Sequence, residues 1–160
     1  MPDPDYRLIP LHDRKGNLRA HAIVDPDDFK RFGHLRWSIG AGGYVLTGRG
    51  CDQRRLHRLI LGLCRGDKRE GDHTNGDTLD NRRANLRIAT KAENGQNRVG
   101  PSKRNTSGYR GVSYSARDDT WDVGIMVNGV RYRRAGFRDV HVAGQVAALL
   151  RAEHMPFATD

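Results

Sequence analysis

Cysteine is nearly missing from this sequence. Cys51 and Cys64 are the only two in 160 residues, and twelve residues separate them. Without a CxxC pair, a cysteine-rich structural zinc site is excluded; both are read as reduced thiols with no assigned function. Long apolar runs are lacking as well. None approaches the ~18–20 residues of a membrane span. The start, Met1-Pro2-Asp3-Pro4-Asp5, has no signal-peptide pattern. A soluble, cytoplasmic protein with no membrane contact is therefore expected. Hydrophobic residues make up 36% of the chain, and the mean hydropathy is −0.76. Such a composition favours several small, thinly cored modules over one large domain.

Positive charge is plentiful. The net charge is +9, from 28 Lys and Arg against 19 Asp and Glu. Residues 1–50 carry +2 (8 against 6), 51–98 carry +4 (11 against 7), and 99–160 carry +3 (9 against 6). The excess is spread along the chain rather than gathered in a tail. A distributed positive field suits a partner that is itself a long polyanion, because each neutralised phosphate releases counterions. Charge alone leaves open a basic protein with no nucleic-acid role.

The local signals divide the chain into four stretches: 1–50, 51–98, 99–107 and 108–160. In residues 1–50, Arg7–Leu11 and Leu18–Val24 read as short strands around a Lys15-Gly16-Asn17 turn. Asp25-Pro26-Asp27-Asp28 starts a helix, with Pro in the first turn and acids beside it. Trp37-Ser38-Ile39 and Tyr44-Val45-Leu46 flank Gly40–Gly43 as a hairpin, and nothing in this β-rich segment looks catalytic.

Residues 51–98 are dense in His, Asn, Asp and Arg. Leu56–Leu63 is a short apolar stretch holding His57. A turn-rich loop, Gly71-Asp72-His73-Thr74-Asn75-Gly76-Asp77, is followed by Asn81-Arg82-Arg83-Ala84-Asn85 and a strand at Leu86–Ala89. Thr90 and Glu93 form a capping box, so a helix is predicted from about Lys91. The order is strand, loop, strand, helix. Residues 99–107 have no apolar pattern and read as a linker.

Residues 108–160 carry the clearest pattern. Asn128-Gly129 predicts a type I′ turn. That turn sets Val127 opposite Val130, Met126 opposite Arg131, Ile125 opposite Tyr132 and Gly124 opposite Arg133. One face then holds Trp121, Val123, Ile125, Val127, Val130 and Tyr132; the other holds Asp122, Gly124, Met126, Arg131 and Arg133. Tyr109–Ser115 is the third strand. Asp139 caps a helix whose apolar side is Val142, Val146, Leu149 and Leu150. The expected fold class is α+β, ending in a three-stranded antiparallel sheet packed on one helix.

The middle stretch holds groups suited to phosphodiester hydrolysis. That reaction needs a base for water, charge stabilisation at phosphorus and help for the leaving oxygen. Asp72 beside His73 pairs a hard oxygen with an imidazole, and Asn94 adds an amide oxygen from the capped helix. Mg²⁺ takes few protein ligands, so two are enough. Neighbours in an ideal strand point to opposite faces, so Asp72 and His73 share a site only near the strand's end.

Gly71–Asp77, Asp80–Arg87, Thr90–Asn94 and the upstream Leu56-His57-Arg58-Leu59-Ile60 resemble the HNH family, and more narrowly the phage and intron homing endonucleases with a ββα-metal centre. The likeness covers about 45 residues, with several separated elements in order. It implies a DNA endonuclease in which His73 is the general base, Asp72 and Asn94 hold a divalent metal, and Asn85 braces the loop. Asn94 stands at the third family position, as in the HNN subgroup, which favours Mg²⁺ or Mn²⁺ over Zn²⁺.

Arg82 and Arg83 are candidates to grip the DNA backbone. His57 is read either as a packing residue or as a phosphate contact, and Asn81 and Asn97 as loop or helix-end residues. Ser107–Val112, Trp121, Val127–Arg131 and Ala135-Gly136-Phe137 resemble the Apetala/ethylene-response-factor DNA-binding domain, whose sheet enters the major groove. Its matching positions are Arg110 and Gly111 on the first strand, Gly124 and Met126 on the second, and Arg131 and Arg133 on the third, with Arg117 in a loop. Ser113 and Ser115 depart from that family's usual arginines.

The expected partner is double-stranded DNA in a bacterial or phage-infected cell, with no small-molecule cofactor and with monomer or dimer left open. The competing reading is a non-catalytic DNA-binding regulator. An RNA-binding module is disfavoured, because Trp121 and Tyr132 fall on the inner face.

Overall fold

A computed structural model describes residues 5–98 and 100–159. Residues 1–4, 99 and 160, which the sequence reading gave to the N-terminal segment, the linker and the C-terminal module, lie outside the described residues. The chain forms two compact units, Met1–Asn94 and Gly95–Asp160. Helices and small antiparallel sheets are mixed throughout, an α+β architecture.

The first unit begins with a hairpin of β1 (Arg7–His12) and β2 (Leu18–Val24). Gly16, at φ +92°, takes the left-handed position in the connecting turn. Asp13 Oδ1 accepts the N–H groups of Lys15 and Asn17, each at 2.9 Å. Alternation along the hairpin turns Ile9, Leu11, Ala22 and Val24 inward. Next come α1 (Pro26–Phe32) and a small sheet in the order β3 (Ser38–Ile39), β4 (Val45–Thr47), β5 (Arg54–Arg55). The unit continues with α2 (Leu56–Ile60), the antiparallel pair β6 (Glu70–His73) and β7 (Leu86–Ala89), and then α3 (Lys91–Gln96).

One core serves all of these elements. Ile9, Leu11, Val24, Trp37, Val45, Leu56, Ile60 and Leu86 bury against one another, so residues 5–50 share their interior with the elements that follow. They also hold the 74–85 loop. The N–H of Ile23 donates to Leu79 O at 2.9 Å and that of Asn81 donates to Ile23 O at 2.8 Å, while Thr78 Oγ1 donates to Gly43 O at 2.9 Å. Arg83 makes a two-pronged ion pair, 2.8 Å on each arm, with Asp28, the buried residue of α1. A carboxylate can be buried there because a guanidinium matches both of its oxygens.

The capping box at α3 forms in both directions: the Glu93 N–H donates to Thr90 Oγ1 at 3.2 Å, and the Thr90 N–H donates to Glu93 Oε2 at 2.7 Å.

The second unit is a three-stranded antiparallel sheet, order β10 (Val130–Phe137), β9 (Thr120–Val127), β8 (Val112–Ser115), with α4 (Val140–His154) packed on it. Asn128 and Gly129 have φ +49° and +82°, and the four cross-strand pairs predicted from them are the observed register.

Three expectations need correction. The first strand starts at Val112, not Tyr109, because Gly111 is left-handed at φ +82° and the Asn105 and Ser107 side chains tie the Tyr109 and Val112 carbonyls into a turn. The packed side of α4 is Ala143, Gly144, Ala147 and Leu150, while Val142 and Leu149 are 45% and 69% exposed. Small residues win this face because the helix lies close to the sheet side of the unit: a Cβ on Gly144 would run into the Tyr109 ring. Val130, placed on the inner face, is 54% exposed beside the turn.

Candidate active site

The strand β6 carries different groups on its two faces, as its period of two requires. Gly71 and His73 point one way and Glu70 and Asp72 the other. On the first side, the His57 and His73 rings meet edge to face at 4.9 Å, and Tyr44 tilts over both at 5.2 and 6.1 Å. Gly71 is what lets His57 in: a Cβ there would stand 2.6 Å from His57 Cδ2. His73 Nε2 lies 3.4 Å from Asn81 Oδ1, while the Asn81 Nδ2 donates to Thr78 O at 3.1 Å. With its amide so oriented, Asn81 offers only an acceptor. With Asn81 Oδ1 as the acceptor, His73 Nε2 is the donor of this contact.

Burial lowers the His73 imidazole from its ordinary 6.5, against the opposing effects of the Asn81 bond and of Asp72, Asp77 and Asp80. For His57 burial, reinforced by His73, Arg55 and Arg58, lowers it to about 3. Both rings are neutral at pH 7, and a neutral His73 can accept a proton.

On the second side, Asp72 is 5% exposed and its Oδ2 accepts Arg87 Nε at 2.8 Å, from the residue directly across the ladder. Asn94, on α3, donates from Nδ2 to Glu70 Oε2 at 2.5 Å. This donor set, two carboxylates and an amide oxygen, has the hard chemistry that suits Mg²⁺ or Mn²⁺. Among the described residues no three His, Cys, Asp or Glu side chains gather into a closed metal cage.

Asn85 spans the loop, accepting the Asn75 N–H at Oδ1 (2.9 Å) and donating from Nδ2 to Asp80 O (2.7 Å).

A match to known proteins now has geometry behind it. The model of the HNH endonuclease family matches residues 54–96. Residues 54–96 are thus similar to an HNH endonuclease domain. The chain is a DNA nuclease on that ground, and HNH nucleases generally depend on a divalent metal. An uncharacterized HNH endonuclease of Acanthamoeba polyphaga mimivirus is 26% identical over 136 residues, covering 82% of this chain and 69% of that protein. No solved structure matches.

The structure reassigns some of the residues singled out for DNA. His57 is 2% exposed, so it packs inside against His73 and no phosphate can touch it. Arg83 is paired with Asp28, and Arg82 is paired with Asp80 at 2.7 and 2.8 Å. Arg110 precedes β8, and its guanidinium donates to the carbonyls of Arg98 and Gln96 at 2.6 and 2.8 Å. Gly111 makes the left-handed turn beside it.

On the outer face of the second unit, Arg131 is exposed beside Gly124, Arg133 pairs with Asp122 at 2.5 Å, and Arg117 pairs with Asp118 at 3.0 Å. Met126 is exposed on that face.

Four residues of the HNH site escaped the sequence reading. Glu70 stands two positions before Asp72, the spacing of one strand face, and was legible on that ground. Arg87 needed the register, and Asn81 had been taken for a loop residue. Tyr44 comes from a segment in which nothing looked catalytic.

Proposed function

We propose that the chain is a metal-dependent endonuclease of duplex DNA, of the phage or mobile-element homing type. In this reading His73 is the general base, and Asp72 and Asn94, with Glu70 beside them, are the residues that would hold Mg²⁺ or Mn²⁺. The bound ion supplies charge neutralisation at the phosphate and its leaving oxygen.

The chain's own residues do the rest. His73 takes the water proton, and Asn81 orients its ring through the contact at Nε2. His57 and Tyr44 shield the ring from bulk water. Arg87 braces the Asp72 carboxylate from across the ladder, and Asn85 holds the loop that carries Asp80 and Asn81. The outer face of β8–β10, with Arg131, Arg133 and Arg117, is read as an Apetala/ethylene-response-factor-like surface that seats the duplex. The 51–98 centre and the 108–160 module are taken as the working divisions of the chain.

The observation that carries this reading is a buried His73 at the end of β6, in contact with Asn81 and next to the buried carboxylate of Asp72. The test is nicking of supercoiled plasmid with Mg²⁺ or EDTA, using the wild type, His73→Ala and Asp72→Asn. Nicked or linear product that needs the metal and both residues supports it. Uncut but shifted DNA, across several metals and a library of sequences, would replace it with a non-catalytic DNA-binding regulator.

A further inference from the structure

Residues 51–70 enclose a cleft of about 680 Å³. Its lining holds six cations: Arg54, Arg55, Arg58, Arg65, Lys68 and Arg69. The carboxylates among them are mostly spoken for. Asp67 is gripped by Arg69 at 2.7 and 3.1 Å, which holds it down at about 2, and Glu70 accepts the Asn94 amide.

Arg58 does structural work here, donating to the carbonyls of Arg69, Cys64 and Asp67 at 2.9, 3.1 and 3.3 Å, so the 64–69 wall is pinned to α2. Arg54, Arg65 and Lys68 remain. All three are exposed, and their side chains have no hydrogen bond or ion pair among the described residues. Three unpaired cations around one preformed concavity repel each other until an anion arrives.

Two contacts join this cleft to the nuclease site. Glu70 lines it while holding Asn94 on the metal-binding side. Arg55 lines it while lying 4.7 Å over the Tyr44 ring, which packs on His73. The cleft thus adjoins β6 at Glu70 and reaches the His73 side through Arg55 and Tyr44. Resting on the nuclease reading above, we infer that the cleft is a track for the sugar-phosphate backbone of the cleaved strand, with Arg54, Arg65 and Lys68 neutralising the phosphates that flank the scissile one. Contacts of this kind fix register and orientation without reading sequence.

The chain carries its own reporters. Cys51 and Cys64, its only thiols, are both exposed and both line the cleft. The first arm measures maleimide labelling of each thiol in the full-length wild type, in EDTA, with and without a non-specific DNA duplex. A labelling rate at both cysteines that falls severalfold with duplex, and does not fall with inorganic phosphate at equal phosphate concentration, supports the track. Unchanged labelling, or equal protection by inorganic phosphate, overturns it.

The second arm compares the salt dependence of duplex binding by the wild type and by Arg54→Gln/Arg65→Gln/Lys68→Gln. Three lost phosphate contacts should flatten the log–log slope by about 2.7 and weaken binding roughly a hundredfold near 0.15 M salt. Equal slopes overturn the proposal. The two readings fail separately: a wild type that nicks plasmid while the slopes stay equal loses only the track. A wild type that shows protection and the slope change but never nicks loses only the nuclease.

Discussion

Acidifying the solution from about pH 6.5 to about pH 4.5 should weaken the first unit through its buried imidazoles, and the share of His57 can be isolated. His57 is 2% exposed, its Nδ1 is buried with no hydrogen-bond partner, and its value is pushed from 6.5 to about 3. An imidazole whose folded value is lowered binds its proton less readily in the fold than in the unfolded chain. Between about 3 and 6.5 the unfolded chain therefore carries more protons, and stability falls as the pH falls. At about 1.36 kcal/mol per pH unit, the two units below 6.5 amount to about 2–3 kcal/mol.

Carboxylates held below 3.8 by their partners, Asp67 and Asp80 among them, lose their contribution only in stronger acid and stay out of this window. The assay is urea unfolding followed by Trp37 fluorescence in a Trp121→Phe background, since Trp37 is buried in the core of the first unit. His57→Leu removes the titration and no hydrogen bond at Nδ1. The wild type should lose about 2–3 kcal/mol more than His57→Leu over this range. Parallel pH dependence in the two proteins would refute the reasoning.

Three further substitutions have definite expectations. Gly71→Ala sets a Cβ 2.6 Å from His57 Cδ2 and 3.0 Å from Leu61 Cδ1. It should cost the first unit about 1–3 kcal/mol in urea and lower nicking, because His57 can yield only toward His73. Gly144→Ala presses on the Tyr109 ring and should destabilise only the second unit, by a similar amount of about 1–3 kcal/mol, seen in Trp121 but not Trp37 fluorescence. Arg83→Ala strips the two-pronged partner from buried Asp28. The loss should be about 2–4 kcal/mol, short of a fully buried pair because Arg31 remains at 3.7 Å, and thermal unfolding of the two proteins measures it.

What could be read from the sequence was whatever short-range chemistry decides. The Asn128-Gly129 turn needs two left-handed residues and so sets every pair of its hairpin, while Thr90 and Glu93 sit at the spacing at which each can satisfy the other's N–H. The side of α4 that packs was not legible from hydrophobicity. Its contact is decided by how closely Gly144, Ala143 and Ala147 allow the helix to approach, and that favours small side chains over Val142 and Leu149. Arg110 was misplaced for a related reason: one left-handed glycine ends the strand early and turns the guanidinium toward the carbonyls of Gln96 and Arg98. At the HNH site, His73, Asp72 and Asn94 stand in a recognisable order. Tyr44 and Asn81 reach His73 only because residues far apart in the chain share a core.

That sharing gives residues 5–50 a task. In the proposed mechanism the base is His73, and its ring is oriented by Asn81. Asn81 is held by its backbone bond to Ile23 in β2, by Thr78, which is itself tied to Gly43, and by Asn85 through Asp80. Three of these restraints depend on the N-terminal hairpins or the loop they brace. The other face of β6 is organised differently: Asn94 is set by the capped start of α3, six residues long and fixed by Thr90 and Glu93. A ring that must keep one nitrogen unprotonated needs a rigid, dry surrounding, which a short loop cannot build alone. In the same proposal, an oxygen set for a hydrated ion needs reach and some freedom, which the short helix α3 provides. The strand joins the two requirements, and the first fifty residues are the scaffold that the first of them demands.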